Sequence, residues 1–231
     1  MLIVSTAQLV GITEALSWIM QLSIIVPMVV TWRRWRQFSP PVRLLSWYVY
    51  LSLLSAVAAR WAEWTHHSNL LYIMAFNAGK ILLFTAVYFQ VLQLRWVRWL
   101  FVGLAAAGLL GGVYVGLRQE MGFMMTYFRT LQCGLLAALA LAYLEQLSRE
   151  PPMGRLRQNP LLLLSVGQLV YSAGTVMLFS LDFTKVSMAQ NKIYFGIVAI
   201  AGLIFNYLLT LAFLRARPDG PETQRPSWPG N

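Results

Sequence analysis

The chain has 231 residues, of which 58% are hydrophobic and 11% charged, and its formal net charge is +10. A soluble domain averages about 25% charged residues, so this composition excludes an ordinary water-soluble domain and points to one polytopic membrane domain. The single cysteine, Cys133, excludes an intramolecular disulfide and any cysteine-based metal site.

Apolar runs predict seven spans, at 3–31, 44–65, 69–94, 98–117, 122–147, 160–182 and 192–214. Each reaches the ~20 residues that a ~30 Å hydrocarbon core needs. None shows the alternation of a barrel strand, so the expected fold is all-α: a seven-transmembrane-helix bundle over 1–214 with a Pro-rich, disordered tail at 215–231.

In the first span, Glu14, Ser17 and Gln21 share a helical face, and Pro27, the only proline inside a span, predicts a kink. The N-terminus lacks a basic n-region and a small-residue cleavage site, so this span is expected to stay in the mature protein. Basic residues cluster in alternate connections. The first, third and fifth connections and the tail hold twelve (Arg33, Arg34, Arg36, Arg43, Arg95, Arg98, Arg149, Arg155, Arg157, Arg215, Arg217 and Arg225), and the opposite side holds three, Arg118, Lys185 and Lys192. That bias predicts an outside N-terminus and a cytoplasmic C-terminus, and it accounts for the positive charge without nucleic acid. Tryptophans near the predicted helix ends suit the membrane interface.

The second span ends in "RWAEWTHHSN". Arg60 and Glu63 sit near its outer end, where they can snorkel or pair. Glu63, His66 and His67 follow i, i+3, i+4 spacing and could present three metal ligands. One short segment offers no second ligand set, so no metal site is expected. The third span carries Asn77, Lys80, Phe84 and Tyr88 on one face. At 1.5 Å per residue, Lys80 and Glu14 each lie ~16 Å from the outer ends of their spans, which makes them expected ion-pair partners.

The fourth span contains two small-residue rows, Gly108–Gly112–Gly116 and Gly103–Ala107–Gly111, expected to pack against a neighbouring helix. The fifth aligns Thr126, Arg129, Thr130 and Cys133. The sixth aligns Ser165, Gln168, Ser172 and Thr175, and the seventh Ala199, Gly202, Asn206 and Thr210. Polar faces turn away from lipid, so stripes on several helices imply a polar interior. Intramembrane charge favours a cavity there, with Arg129, Asn77, Tyr88, Gln168, Tyr171 and Asn206 on its wall. Arg129 has no acid at its own depth. A carbonyl cage, Glu63 or Asp182 reaching inward, or an anionic ligand would each account for it.

The stretches "NLLYIMAFNAGKILLFTAVYF", "MTYFRTLQCGLLAALALAYLEQL", "NPLLLLSVGQLVYSAGTVMLFSL" and "IAGLIFNYLLTLAFL" resemble an uncharacterised family of small seven-helix bacterial integral membrane proteins. Tyr72, Arg129, Asn159–Pro160, Tyr171, Gly174 and Asn206 carry the resemblance. It implies the seven-helix fold and a bacterial cytoplasmic (inner) membrane, and it brings no activity with it. The family often has a glutamate near the position where this chain has Lys80.

No nucleophile motif, HExxH, phosphate loop or CxxC is present, and the short loops leave no room for a soluble catalytic domain. No reactive constellation argues for an enzyme, and no cofactor is expected. The reading this supports is a ligand-binding or sensory protein that takes an anionic small molecule and acts through a signalling partner protein in the lipid bilayer. The alternative is a small transporter or an ion or proton pathway using Glu14, Lys80 and Arg129. The absence of a visible inverted repeat places it second.

Overall fold

A backbone in hydrocarbon must satisfy its own polar groups, and this chain does so with helices. The computed structural model describes residues 6–65, 69–118, 121–149, 159–179 and 188–217, and no strand occurs among them. In chain order the helices are α1 (Thr6–Ser23), α2 (Ile25–Arg34), α3 (Pro40–Trp64), α4 (Leu70–Val91), α5 (Arg95–Arg118), α6 (Met121–Ser148), α7 (Pro160–Phe179) and α8 (Met188–Arg215), with a 3₁₀ turn at Trp35–Gln37 between α2 and α3. Six stretches are long and apolar enough to cross a membrane: Gly11–Gln37, Pro40–Ala62, Leu70–Val91, Arg95–Arg118, Thr126–Ser148 and Tyr194–Arg215. The apolar part of α7 described, Pro160–Val176, is shorter. The chain is therefore an all-helical membrane protein. His66, His67, Asp182, Lys185 and the tail from 218 lie outside the described residues.

The first apolar stretch breaks between α1 and α2, at Ile24. Proline has no N–H, so Pro27 cannot donate to the Ser23 carbonyl four residues back, and the helix interrupts there. The start of α7 is also written locally. Asn159 accepts the Leu161 N–H on Oδ1 at 3.0 Å, and Pro160 follows at the first helical position, where its missing N–H costs nothing. The Asn159 Nδ2 donates to the Tyr143 hydroxyl of α6 at 2.8 Å, tying the cap to a neighbour. From α6, Gln146 closes the C-terminal end of α4: it accepts the Gln93 N–H at 2.8 Å and donates to the Val91 carbonyl at 3.3 Å.

The helices close into a ring. α2 packs on α3, α3 on α4, α4 on α6, α6 on α7, α7 on α8, and α8 on both α1 and α2. α5 stands outside it, against α6 and α4. Glycine makes the α5–α6 approach close: a Cβ on Gly108 would meet Leu131, one on Gly112 the Phe128 ring, and one on Gly116 Met124, each within 2.6 Å. The Tyr127 hydroxyl donates to the Gly108 carbonyl at 3.0 Å across this contact. The second small-residue row divides. Gly111 faces Tyr127, whereas Gly103 has nothing within 4 Å.

The ring is pinned where its two ends meet. Asn206 of α8 donates to the Met20 carbonyl at 3.2 Å and to Ser23 Oγ at 2.7 Å. At the C-terminal end of α8, the Arg34 guanidinium donates to the carbonyls of Phe213, Leu214 and Ala216. A cation on the last turn satisfies orphan carbonyls and complements the helix dipole. Phe38 stacks on Phe213 beside it, with centroids 5.5 Å apart.

Candidate functional site

The interior of the ring is polar and aromatic at its middle. Lys80 sits near the centre of α4, ~15 Å from either end of the helix at 1.5 Å per residue. It is 1% exposed. Four rings surround its ammonium: Tyr171 at 4.3 Å, Phe205 at 5.1 Å, Tyr48 at 5.3 Å and Phe84 at 5.5 Å, measured from Nζ to each centroid. These come from α7, α8, α3 and α4. Tyr48 also meets Phe84 and Phe205 edge-on, so the rings brace one another. The face of an aromatic ring carries negative charge density, and desolvation strengthens its attraction for a cation.

From α6, Cys133 lies near both Lys80 and Arg129, and Arg129 lies near Tyr171. Lys80, Arg129, Cys133 and Tyr171 thus form one centre at the meeting of α4, α6 and α7, with no part contributed by α5. Gln132 and Gln168 are buried close by in sequence on α6 and α7. Gln168 donates to Ser172 at 2.9 Å, while its Oε1, the Gln132 Oε1, the Asn77 Nδ2 and the Thr85 Oγ1 meet no hydrogen-bonding group of the described residues.

The expected faces of α4 and α7 are inside. Asn77, Lys80, Phe84 and Tyr88 are buried, as are Ser165, Gln168, Ser172 and Thr175. Tyr88 and Ser165 join the two helices by a 2.8 Å hydrogen bond. On α6, Thr126 and Thr130 are exposed, Arg129 is half-buried, and the inward face runs instead through Gln132, Cys133, Leu136 and Tyr143. On α1 the buried residue is Thr13, with Ile24 buried at the break that follows, and Ser17 bonds its own helix at the Thr13 carbonyl, 2.9 Å away. Glu14 is exposed. It shares a face with Trp18, one turn on, whose ring receives the Arg60 guanidinium at 4.3 Å.

The structure does not bring Glu14 and Lys80 together. No ion pair joins them among the described residues, and the ammonium faces rings where a carboxylate was expected. Asn206 turns to α1 and bonds there. The Glu63–His66–His67 set extends beyond the described residues. The sequence reading missed Tyr48, Phe205 and Gln132. Gln132 carries a usable signal, being a buried-type amide one residue from Cys133. Tyr48 and Phe205 are indistinguishable in sequence from ordinary packing aromatics.

No family model matches the chain, and neither a curated protein nor a solved structure matches it. What fold and site define is an all-helical membrane protein with a cationic centre walled by aromatic rings.

Proposed function

We propose that the chain is a seven-helix, multi-pass protein of a bacterial cytoplasmic membrane, with its N-terminus outside and its C-terminus in the cytoplasm. In this reading it binds an anionic small molecule at Lys80 and Arg129 and passes the signal to a partner protein. The observation that carries it is the convergence of these two cations on one interior centre where no carboxylate of the described residues meets Lys80. A charge at the bilayer centre costs about 2.5–3.5 kcal/mol on insertion scales, and such groups mark functional sites by default. A carboxylate or phosphate ligand would neutralise that excess and accept a hydrogen bond from the Asn77 Nδ2, the amide donor left over beside Lys80. The short connections leave the output to another chain.

The test is thermal stability of the purified protein in detergent against a panel of carboxylates, phosphates, sulfates and sulfonates. At least one should raise the melting temperature in a concentration-dependent way. Lys80→Met should abolish that response. A panel with no effect on the wild type sinks the reading.

A second reading has its own support. Buried polar atoms normally find partners. Those at Asn77 and Thr85 lie on either side of Lys80 along α4, and those at Gln132 and Gln168 face the same interior. Such a line suits a hydrated path for a small ion. Uptake into proteoliposomes under an imposed gradient separates transport from sensing: a transporter moves the anion that stabilises it, and a sensor does not.

A further inference from the structure

On the outside of the ring, between α3 and α4, lies an apolar groove of about 520 Å³. Trp47, Tyr50 and Leu54 form one wall, and Gly79, Leu82 and Leu83 the other. Leu54 is 67% exposed and Leu82 57%, so the groove opens towards the acyl chains of the membrane. Gly79 keeps its floor clear: a Cβ there would come within 3.0 Å of Leu51 Cδ2.

The groove has a charged end. Arg43, Trp47, Tyr50 and Leu54 are spaced by four, three and four residues, which puts them in one row on α3. Arg43 therefore stands one turn beyond the Trp47 end. It is exposed, and of its five N–H donors one bonds the Phe38 carbonyl, at 3.3 Å. The Trp35 ring meets Trp47 edge-on at 5.9 Å, which brings the 3₁₀ turn and its exposed Arg36 to the same end. From Arg43 to Leu54 the row runs ~16 Å, and half of a ~30 Å hydrocarbon core is nearly the same length.

A trough running ~10 Å from Trp47 to Leu54, its aromatic collar of Trp47 and Tyr50, and a pair of arginines above it match one kind of occupant. We propose that this groove binds an anionic phospholipid of the adjacent leaflet, with one acyl chain between α3 and α4 and its phosphate on Arg43 and Arg36. The shape accepts any acyl chain. The arginines select a headgroup with net negative charge. This site is separate from the interior centre and stands whether or not that centre takes an anion.

The experiment uses the full chain purified in a non-ionic detergent. Dioleoylphosphatidylglycerol and dioleoylphosphatidylcholine are titrated in turn, with melting temperature and the number of lipids retained in native mass spectra as readouts. The expected result is a rise of several degrees with phosphatidylglycerol and at least tenfold weaker binding of phosphatidylcholine. Arg43→Gln, a change at an exposed position, should leave the lipid-free melting temperature in place and reduce phosphatidylglycerol to the phosphatidylcholine level. Leu82→Trp, which fills the trough, should lose both responses. Should Leu82→Trp melt low without lipid, chainless glycerol phosphate decides: it must fail to reproduce the shift. Equal binding of the two lipids by the wild type, an undiminished preference in Arg43→Gln, or a full shift from glycerol phosphate would each overturn the proposal.

Discussion

At the scale of single residues, the ammonium of Lys80 raises the sharpest energetic question. Rings return about 0.5–1 kcal/mol to a cation at exposed sites and about 2 kcal/mol or more once water is gone. Tyr171 is the nearest, at 4.3 Å. Tyr171→Leu should therefore destabilise the protein by about 1–2 kcal/mol, and by clearly less in a Lys80→Met background, with a coupling of about 0.5–2 kcal/mol. Glu14→Gln and Lys80→Met should instead add within about 0.5 kcal/mol, as sites without a shared contact do. Chemical or thermal unfolding of the singles and doubles in detergent measures both cycles. A Lys80–Glu14 coupling larger than the Lys80–Tyr171 one would reverse this account. The Tyr88–Ser165 bond is a smaller matter: Tyr88→Phe keeps the ring and should cost about 1 kcal/mol in the same assay. The depth of Lys80 could be read from the chain, because distance along a helix follows from residue number. What meets it could not be, because that depends on which helices become neighbours. Glu14 and Lys80 agree in depth yet lie on faces that point to different partners.

At the scale of elements, α5 gives a clean contrast between two glycines of one helix. Gly112 faces the Phe128 ring, where an added methyl would come within 2.5 Å of Cζ. Gly112→Ala should lose about 1–3 kcal/mol through overpacking. Gly103 looks into open space, and Gly103→Ala should be neutral or gain up to about 1 kcal/mol from helix propensity. Melting curves of the two variants settle the direction of each. The small-residue spacing announced a close approach of some helix, and the break near Pro27 and the Asn159–Pro160 start were equally open to a reader of the chain, since each is fixed within four residues. The inward faces of α1 and α6 were not. Both carry polar residues around much of their circumference, so the 3.6-residue period admits more than one inward arc. Packing chose Thr13 over Glu14 and Gln132 over Thr130.

At the scale of the whole molecule, apolar length was the strongest signal, and helices occupy the long apolar stretches as far as they are described. The proposed orientation rests on the twelve-to-three partition of basic residues. Reporter fusions after Arg36, Arg98, Arg157 and Arg217 should register cytoplasm, and fusions at His67 and Lys185 the outside; a cytoplasmic signal at either of the last two would break the seven-span arrangement. The ring itself was invisible in the chain, because its closing contacts are the most distant ones. Asn206 reaches residues 183 and 186 positions back, and Arg34 reaches a carbonyl 182 positions ahead. A ribosome delivers these partners at opposite ends of synthesis. The first span must therefore wait in the bilayer without its α8 partners, Met20 and Ser23 bonded only to each other and Arg34 only to Gln37, and a chain stopped before α8 would present that seam to whatever surveys nascent membrane proteins. Supplying α8 as a separate peptide should rescue such a truncated chain, much as a missing stave restores a barrel.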